Sequence, residues 1–438
     1  MKRFLSRVLP LLLSFGLILN CTGCSTVLVL AGKARENSEA SSSVISESSA
    51  SSGVISTPVP TEDGDLRAFY TDVANAESVT VMVYMIGSDL ESEDGSATDD
   101  LLEMADAALS ENVHLVLQTG GTETWWNDVC TDDESERFVI ENGDMTLLQS
   151  LGSMNMTDAD TLSDFIRFSA ESYPADRYEL ILWDHGGGTM TGFGYDELYE
   201  DTSLTLSSLS TALYNGGVQF DFIGFDACLM ATAEVAYALD PYADYLIASE
   251  ESEPGEGWAY KNWLTMLAED PAVPTAELGK KLADDFLEAY IFADMPTLSV
   301  LDLRYVPELY AALESYWGSA YTALQSGSYG AFSQVRNNVR EFGDNEYDQV
   351  DLSDLATLTK QSLSLGTEDD VQAAVQNMVV YNVTYEKSAA GIAVYFPCLW
   401  PDYYGDTRFE MTCVGFPESY FEFYDKFMNT MLSGQSLS

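Results

Sequence analysis

Basic residues are scarce in this chain of 438 residues: 19 Lys and Arg stand against 71 Asp and Glu, a formal charge of −52. That balance excludes nucleic acid as a partner, since phosphates need Lys and Arg, and it excludes docking to anionic lipid through a basic patch. It favours basic partners, divalent cations or plain solubility outside a cell. Histidine is scarcer still, with only His114 and His185. After Cys24 four cysteines remain, Cys130, Cys228, Cys398 and Cys413, with no CxxC pair and no Cys/His cluster at zinc spacing. Cys398 and Cys413 are candidates to pair in an oxidising exterior, which the sequence alone does not decide. No internal repeat is present, and the apolar segment at residues 8–19 is too short to span a membrane.

What that segment does have is a basic start, Met1-Lys-Arg-Phe-Leu-Ser-Arg7, and a small-residue ending, Thr22-Gly23-Cys24-Ser25. The pattern is that of a secretory leader. Its ending resembles a bacterial lipobox, which implies that residues 1–23 are removed and that Cys24 is lipidated. The departure is Cys21, where Leu is usual. Residues 24–66 follow as a Ser-rich stalk without hydrophobic period, unable to bury enough apolar area to offset chain entropy. The expected location is extracytoplasmic, with the membrane reached only through the lipid on Cys24.

Across the whole chain 46% of residues are apolar, enough for a sizeable core beyond the stalk. Apolar runs at 79–85, 113–118, 178–183, 220–225 and 244–249 alternate with helical stretches at 98–109, 158–173, 206–214 and 229–239. That alternation predicts a mostly parallel sheet covered on both faces. Asn142-Gly143 marks a hairpin across 137–151. Later helices are expected at 276–293, 306–325, 351–365 and 369–380. Strands at 297–303 and 391–396 are expected to extend the sheet or to form a subdomain. The reading divides the chain into a catalytic core over 78–260 and an extension over 261–438.

Two runs end in reactive residues: Tyr178-Glu-Leu-Ile-Leu-Trp-Asp-His185-Gly-Gly-Gly188 and Phe220-Asp-Phe-Ile-Gly-Phe-Asp-Ala-Cys228. Ligands of an open parallel sheet bind beyond the carboxyl ends of its strands, so both side chains are placed at one crevice. His114 lies inside a strand and is assigned to packing. A cysteine and a histidine so placed suit nucleophilic attack on a carbonyl. Cys228 is expected to open a helix whose N-terminus favours the thiolate. The backbone N–H groups of Cys228 and Gly186 are the expected oxyanion donors.

At these residues the chain resembles the clostripain-like cysteine peptidases, relatives of caspases, legumains and gingipains. Asp184-His185-Gly186 and Asp226-Ala227-Cys228 carry the resemblance, supported by stretches at 79–90, 248–258 and 390–397. It implies a caspase-like three-layer α/β sandwich with C-terminal additions, a Cys228–His185 dyad, and cleavage after Arg or Lys with Asp226 facing the basic side chain. Asp184 is read as a brace for the histidine loop or a strand cap, and Glu250, Glu251 and Glu253 as solvated surface or, alternatively, a rim of the substrate groove. Some family members need calcium. Acidic runs at 89–94 and 132–136 are compatible with Ca²⁺, but no metal ligand is assigned and no cofactor is required. The expected partners are proteins or peptides with basic residues, and a monomer is expected.

The competing readings are a noncatalytic surface lipoprotein that keeps the fold for binding, and a cell-wall transpeptidase or hydrolase using the same pair. No Lys or Arg occurs from Tyr178 to Tyr260, so an Arg/Lys-specific enzyme would not nick itself there. Self-trimming is expected instead at Lys33, Arg35 or Arg67.

Overall fold

The computed structural model describes residues 66–199, 202–290, 296–385 and 389–434. The leader, Cys24 and the stalk up to residue 65 lie outside the described residues. In chain order the strands are β1 (Val79–Ile86), β2 (Val113–Gly120), β3 (Ser135–Glu141), β4 (Asp144–Gly152), β5 (Arg177–Trp183), β6 (Phe220–Asp226), β7 (Ala243–Ala248), β8 (Thr297–Asp302), β9 (Glu341–Phe342), β10 (Gln349–Asp351), β11 (Val379–Thr384) and β12 (Ala393–Tyr395).

Nine of them form one sheet in the order β11-β8-β7-β6-β5-β1-β2-β3-β4. The five strands from β7 to β2 pair in parallel, and antiparallel strands flank them on both sides. The chain steps from β1 to β2 in one direction and later from β5 through β6 to β7 in the other. The order therefore reverses beside β1, and in sheets of this kind ligands bind beyond the strand ends at such a point.

The continuous apolar runs are explained by burial on both faces. Along β1, Met82, Tyr84 and Ile86 enter one core while Val79, Val81, Val83 and Met85 enter the other. Helices Ala159–Ser172, Leu206–Gly216 and Ala233–Leu239 cover the first face; Ser96–Asp106, Tyr260–Glu269 and Thr275–Ala289 cover the second. On the first face Val306–Gln325 also packs on Glu418–Leu432. Asn142 (φ 54°) and Gly143 (φ 80°) make the β3–β4 turn with two positive φ angles, as a tight hairpin of right-handed twist requires.

The strand expected at 391–396 joins neither edge of the large sheet. It becomes β12 in a separate sheet, β12-β10-β9, stitched to the nucleophile segment by Ala393 N–H donating to Ala231 O at 2.9 Å. A short buried run does not encode which sheet receives it. Cys398 and Cys413 are free thiols.

Arg67 is not presented for cleavage. Its guanidinium spans Asp240 (3.2 Å) and Asp244 (2.7 Å) and donates to Ala243 O at 2.6 Å. The Tyr70 and Thr71 N–H groups also bind Asp244, and Phe69 lies between Arg304 and Tyr245. This clamp sits at the start of β7.

Candidate active site

Three neighbouring strands, β1, β5 and β6, deliver the site from their carboxyl ends. β1 turns at Ser88 (φ 49°) into the short helix Ser88–Ser92, which sets Asp89 at the crevice. Asp184 and His185 directly follow the end of β5. The buried Asp184 carboxylate accepts from Ser88 Oγ at 2.6 Å and from the Tyr195 N–H, so it braces the histidine loop. His185 Nε2 lies 2.6 Å from Asp89 Oδ1. Burial pulls the imidazole pKa down, but the bond to Asp89 and the charges of Asp184, Asp89 and Cys228 outweigh it and raise it to about 9.

The glycines after His185 bring that loop onto the nucleophile segment. A Cβ on Gly186 would stand 2.0 Å from Cys228 O, and one on Gly188 (φ 55°) would stand 2.8 Å from Leu229 O. Only glycine permits this approach.

Cys228 is buried, and its Sγ accepts the Glu253 N–H at 3.2 Å. The helix expected to begin beside it does not form there. Leu229 turns at φ 69°, Leu229 N–H and Ala231 N–H bind Glu251 O and Ser249 O, and the helix starts only at Ala233 with Thr232 as its cap. The backbone amide of Glu253 thus occupies the place at sulfur that a helix N-terminus was expected to take.

Asp226, the last residue of β6, is buried and accepts the Trp258 N–H (3.0 Å) and the Tyr260 O–H (2.7 Å) on Oδ2. Nearby, Asp100 accepts from Trp183 Nε1 at 2.6 Å. Gly257 (φ 65°) lies against both: a Cβ there would meet Asp100 Oδ2 at 2.8 Å and both Asp226 oxygens at 3.0 Å. Burial pushes Asp226, Asp100 and Glu253 above the usual carboxyl range. Asp226 adds to the rise of the other two through its charge. The result is a cluster of buried carboxyl groups at the end of β6, the strand that leads to the thiol.

The sequence model of the clostripain family matches residues 83–408. The chain belongs to the clostripain family. Clostripain of Hathewaya histolytica is 35% identical over 123 residues, which cover 24% of this chain and 23% of that protein. The aligned part therefore spans about a quarter of that relative. A secreted C11 cysteine protease of Bacteroides thetaiotaomicron, solved with an irreversible peptide inhibitor, superposes with TM-score 0.58 at 18% identity, covering 77% of this chain and 99% of the other. The inactive zymogen of a C11 protease from Parabacteroides distasonis gives 0.59 at 21%, covering 79% and 98%. The fold is the caspase-like α/β sandwich of these clostripain-family structures.

Within this clostripain-family fold, His185, Gly186, Asp226 and Cys228 fall at one crevice. His114 lies near the opposite end of β2, its ring 5.3 Å from Tyr173. Glu250 and Glu253 are buried, not solvated. Glu250 accepts the Gly391 N–H at 2.7 Å, and the half-buried Glu251 pairs with Arg340 at 2.9 Å.

Four carboxylates of the acidic runs considered for calcium are engaged by protein partners. Asp89 holds His185, Glu91 accepts from Thr98 and Trp126, Asp132 from Trp125, and Glu136 from Thr131. Among the described residues no group of three or more His, Cys, Asp or Glu side chains is arranged to hold a metal ion.

Asp89 and Asp100 were not singled out for the site from sequence, and Glu253 only as one of three acids at a groove rim. Asp89 had one available signal, its place directly after a buried strand in Gly87-Ser-Asp. Glu253 stood in an acidic loop that reads as surface.

Proposed function

We propose that this chain is a cysteine endopeptidase that cleaves after Arg or Lys, with Cys228 as nucleophile and His185 as proton carrier. The observation that carries the reading is the contact of the two strand-end loops, with Gly186 against the Cys228 carbonyl. It puts a buried thiol and an imidazole on two loops whose backbones touch.

Attack by the Cys228 thiolate forms an S–C bond at the scissile carbonyl, whose oxygen takes the negative charge. The N–H groups of Gly186 and Cys228 are the donors assigned to that oxyanion. Its collapse breaks the C–N bond, and the imidazolium of His185 gives its proton to the leaving amine. Water then attacks the thioester, His185 accepts its proton, and the acid product leaves as the thiolate returns. A raised imidazole pKa suits this route, because the resting ring already carries the proton that the amine needs.

The buried cluster of Asp226, Asp100 and Glu253 supports the basic specificity. A guanidinium or ammonium entering among mutually repelling carboxyls would supply the missing counter-charge through charge-assisted hydrogen bonds. Lipid tethering through Cys24 rests on the leader pattern, and the secreted relative agrees with an extracytoplasmic site of action.

The test is turnover of fluorogenic peptides ending in Arg, Lys or a neutral residue, run beside a cell-wall peptide. Wild type is expected to cleave the basic peptides and Cys228→Ala to be inactive yet folded. Activity retained by Cys228→Ala ends the mechanism. Binding without turnover favours the noncatalytic lipoprotein.

A further inference from the structure

We propose that Asp89 is the positioning residue of His185: it accepts the Nε2 proton and thereby commits Nδ1 to the thiol and the leaving amine. The inference rests on the peptidase reading for its kinetic arm and on geometry for the rest.

Imidazole offers two nitrogens, and the partner of one decides the work of the other. Here the partner of Nε2 is a carboxylate at 2.6 Å. Burial pushes the Asp89 carboxyl up, but the hydrogen bond and charge of His185 prevail and hold it below the ordinary aspartate value. An ionised carboxylate only accepts, so the proton of that bond sits on Nε2. Nδ1 is the nitrogen left to exchange protons with substrate and sulfur.

The contact is built in duplicate. Two consecutive residues at the end of β1 grip two at the end of β5: Ser88 holds Asp184, and Asp89 holds His185. The β1 end is itself fixed to the β2 end, with Gly87 N–H on Gly120 O at 2.8 Å and Ser88 N–H on Gly121 O at 3.1 Å. The positive φ of Ser88 is what brings both side chains to bear. The other groups facing the ring are Asp184 and Cys228, with the Tyr195 ring centred 6.3 Å away. Asp184 raises the imidazole pKa too, but it is spoken for by Ser88 and Tyr195 and sits on the same strand end. Asp89 is the carboxylate that reaches the ring from another strand end.

With only two histidines in the chain, imidazole ¹⁵N NMR of the full-length protein reads His185 directly, and His114→Gln assigns the pair. In wild type Nε2 is expected to keep its proton after Nδ1 has lost it, with the ring titrating near 9. In Asp89→Asn the titration is expected to fall by more than about one unit, as loss of an opposite charge at this distance implies. Its kcat on an Arg peptide is expected to drop on the order of a hundredfold, the lower end of general acid–base contributions, with KM within about threefold. Asp89→Glu should recover part of both. Wild type losing the Nε2 proton first overturns the proposal even if no variant folds. So does Asp89→Asn with an unmoved titration, whatever its rate. Absence of turnover in wild type strikes the peptidase reading and leaves the NMR result standing.

Discussion

Replacing Gly186 by Ala tests how closely the two catalytic loops must lie. Gly186 does not have a positive φ, so alanine is conformationally acceptable and the obstacle is space alone. Its Cβ would stand 2.0 Å from Cys228 O and 3.0 Å from Cys228 C, both backbone atoms that cannot swing aside. Contacts under 3.0 Å are essentially never made by real Cβ atoms, so the loops must part by at least about 1 Å. A displacement of about 1 Å at reacting groups costs on the order of a hundredfold in rate, or about 2.7 kcal/mol at about 1.4 kcal/mol per decade. The substitution retains the Gly186 N–H, so the loss is not a deleted oxyanion donor. The assay is kcat/KM on an Arg peptide, with thiol titration to count competent sites and a thermal melt to count folded molecules. The expected result is a loss near a hundredfold that falls mainly on kcat. Rates within about threefold of wild type with an unchanged melt would refute the argument, because loops able to part freely are not held in contact by the fold.

Asp226→Asn is expected to reduce cleavage after Arg and Lys by well over tenfold, roughly the 1.5–3 kcal/mol of a charge-assisted hydrogen bond, and to affect neutral peptides less. Equal losses on both would instead assign Asp226 to holding Trp258 and Tyr260 beside the nucleophile. Stability should decline as pH rises from about 5 to about 9. Burial raises Asp184 and Glu234 to about 7, from about 4 in an unfolded chain. Between those values the folded state binds more protons, so its stability falls with rising pH. His185, raised to about 9, contributes stability that is complete below about 6.5 and lost through its folded pKa. A melting temperature that climbs between pH 5 and 8 contradicts these assignments.

Legibility in the sequence followed burial. β1, β5 and β6 are buried on both faces, so their runs are unmistakable, and the first reactive groups past them, His185 and Cys228, inherit that clarity. Leu229-Met230-Ala231 was read as helix because its propensities are helical. The positive φ at Leu229 and the pairing with Ser249 and Ala393 overrule them, and both come from distant chain. Asp89 and Glu253 were hidden by composition. In a chain with 71 acidic residues, a single carboxylate carries little information until another strand end is brought beside it. The same holds for β12, whose residues are as buried as any central strand but pair elsewhere.

The clamp on Arg67 decides how force and access reach the enzyme. Asp240 and Asp244 lie at the start of β7, whereas Cys228 lies past the end of β6, about 20 Å away along strands rising some 3.3 Å per residue. The chain therefore enters the folded body at the pole opposite the crevice. A load on the amino-terminal side is taken up by a guanidinium fork and the strand backbone beneath it, not by the histidine or cysteine loops. The described residues at this entry, Leu66 to Thr71, therefore leave the face that carries His185 and Cys228 uncovered.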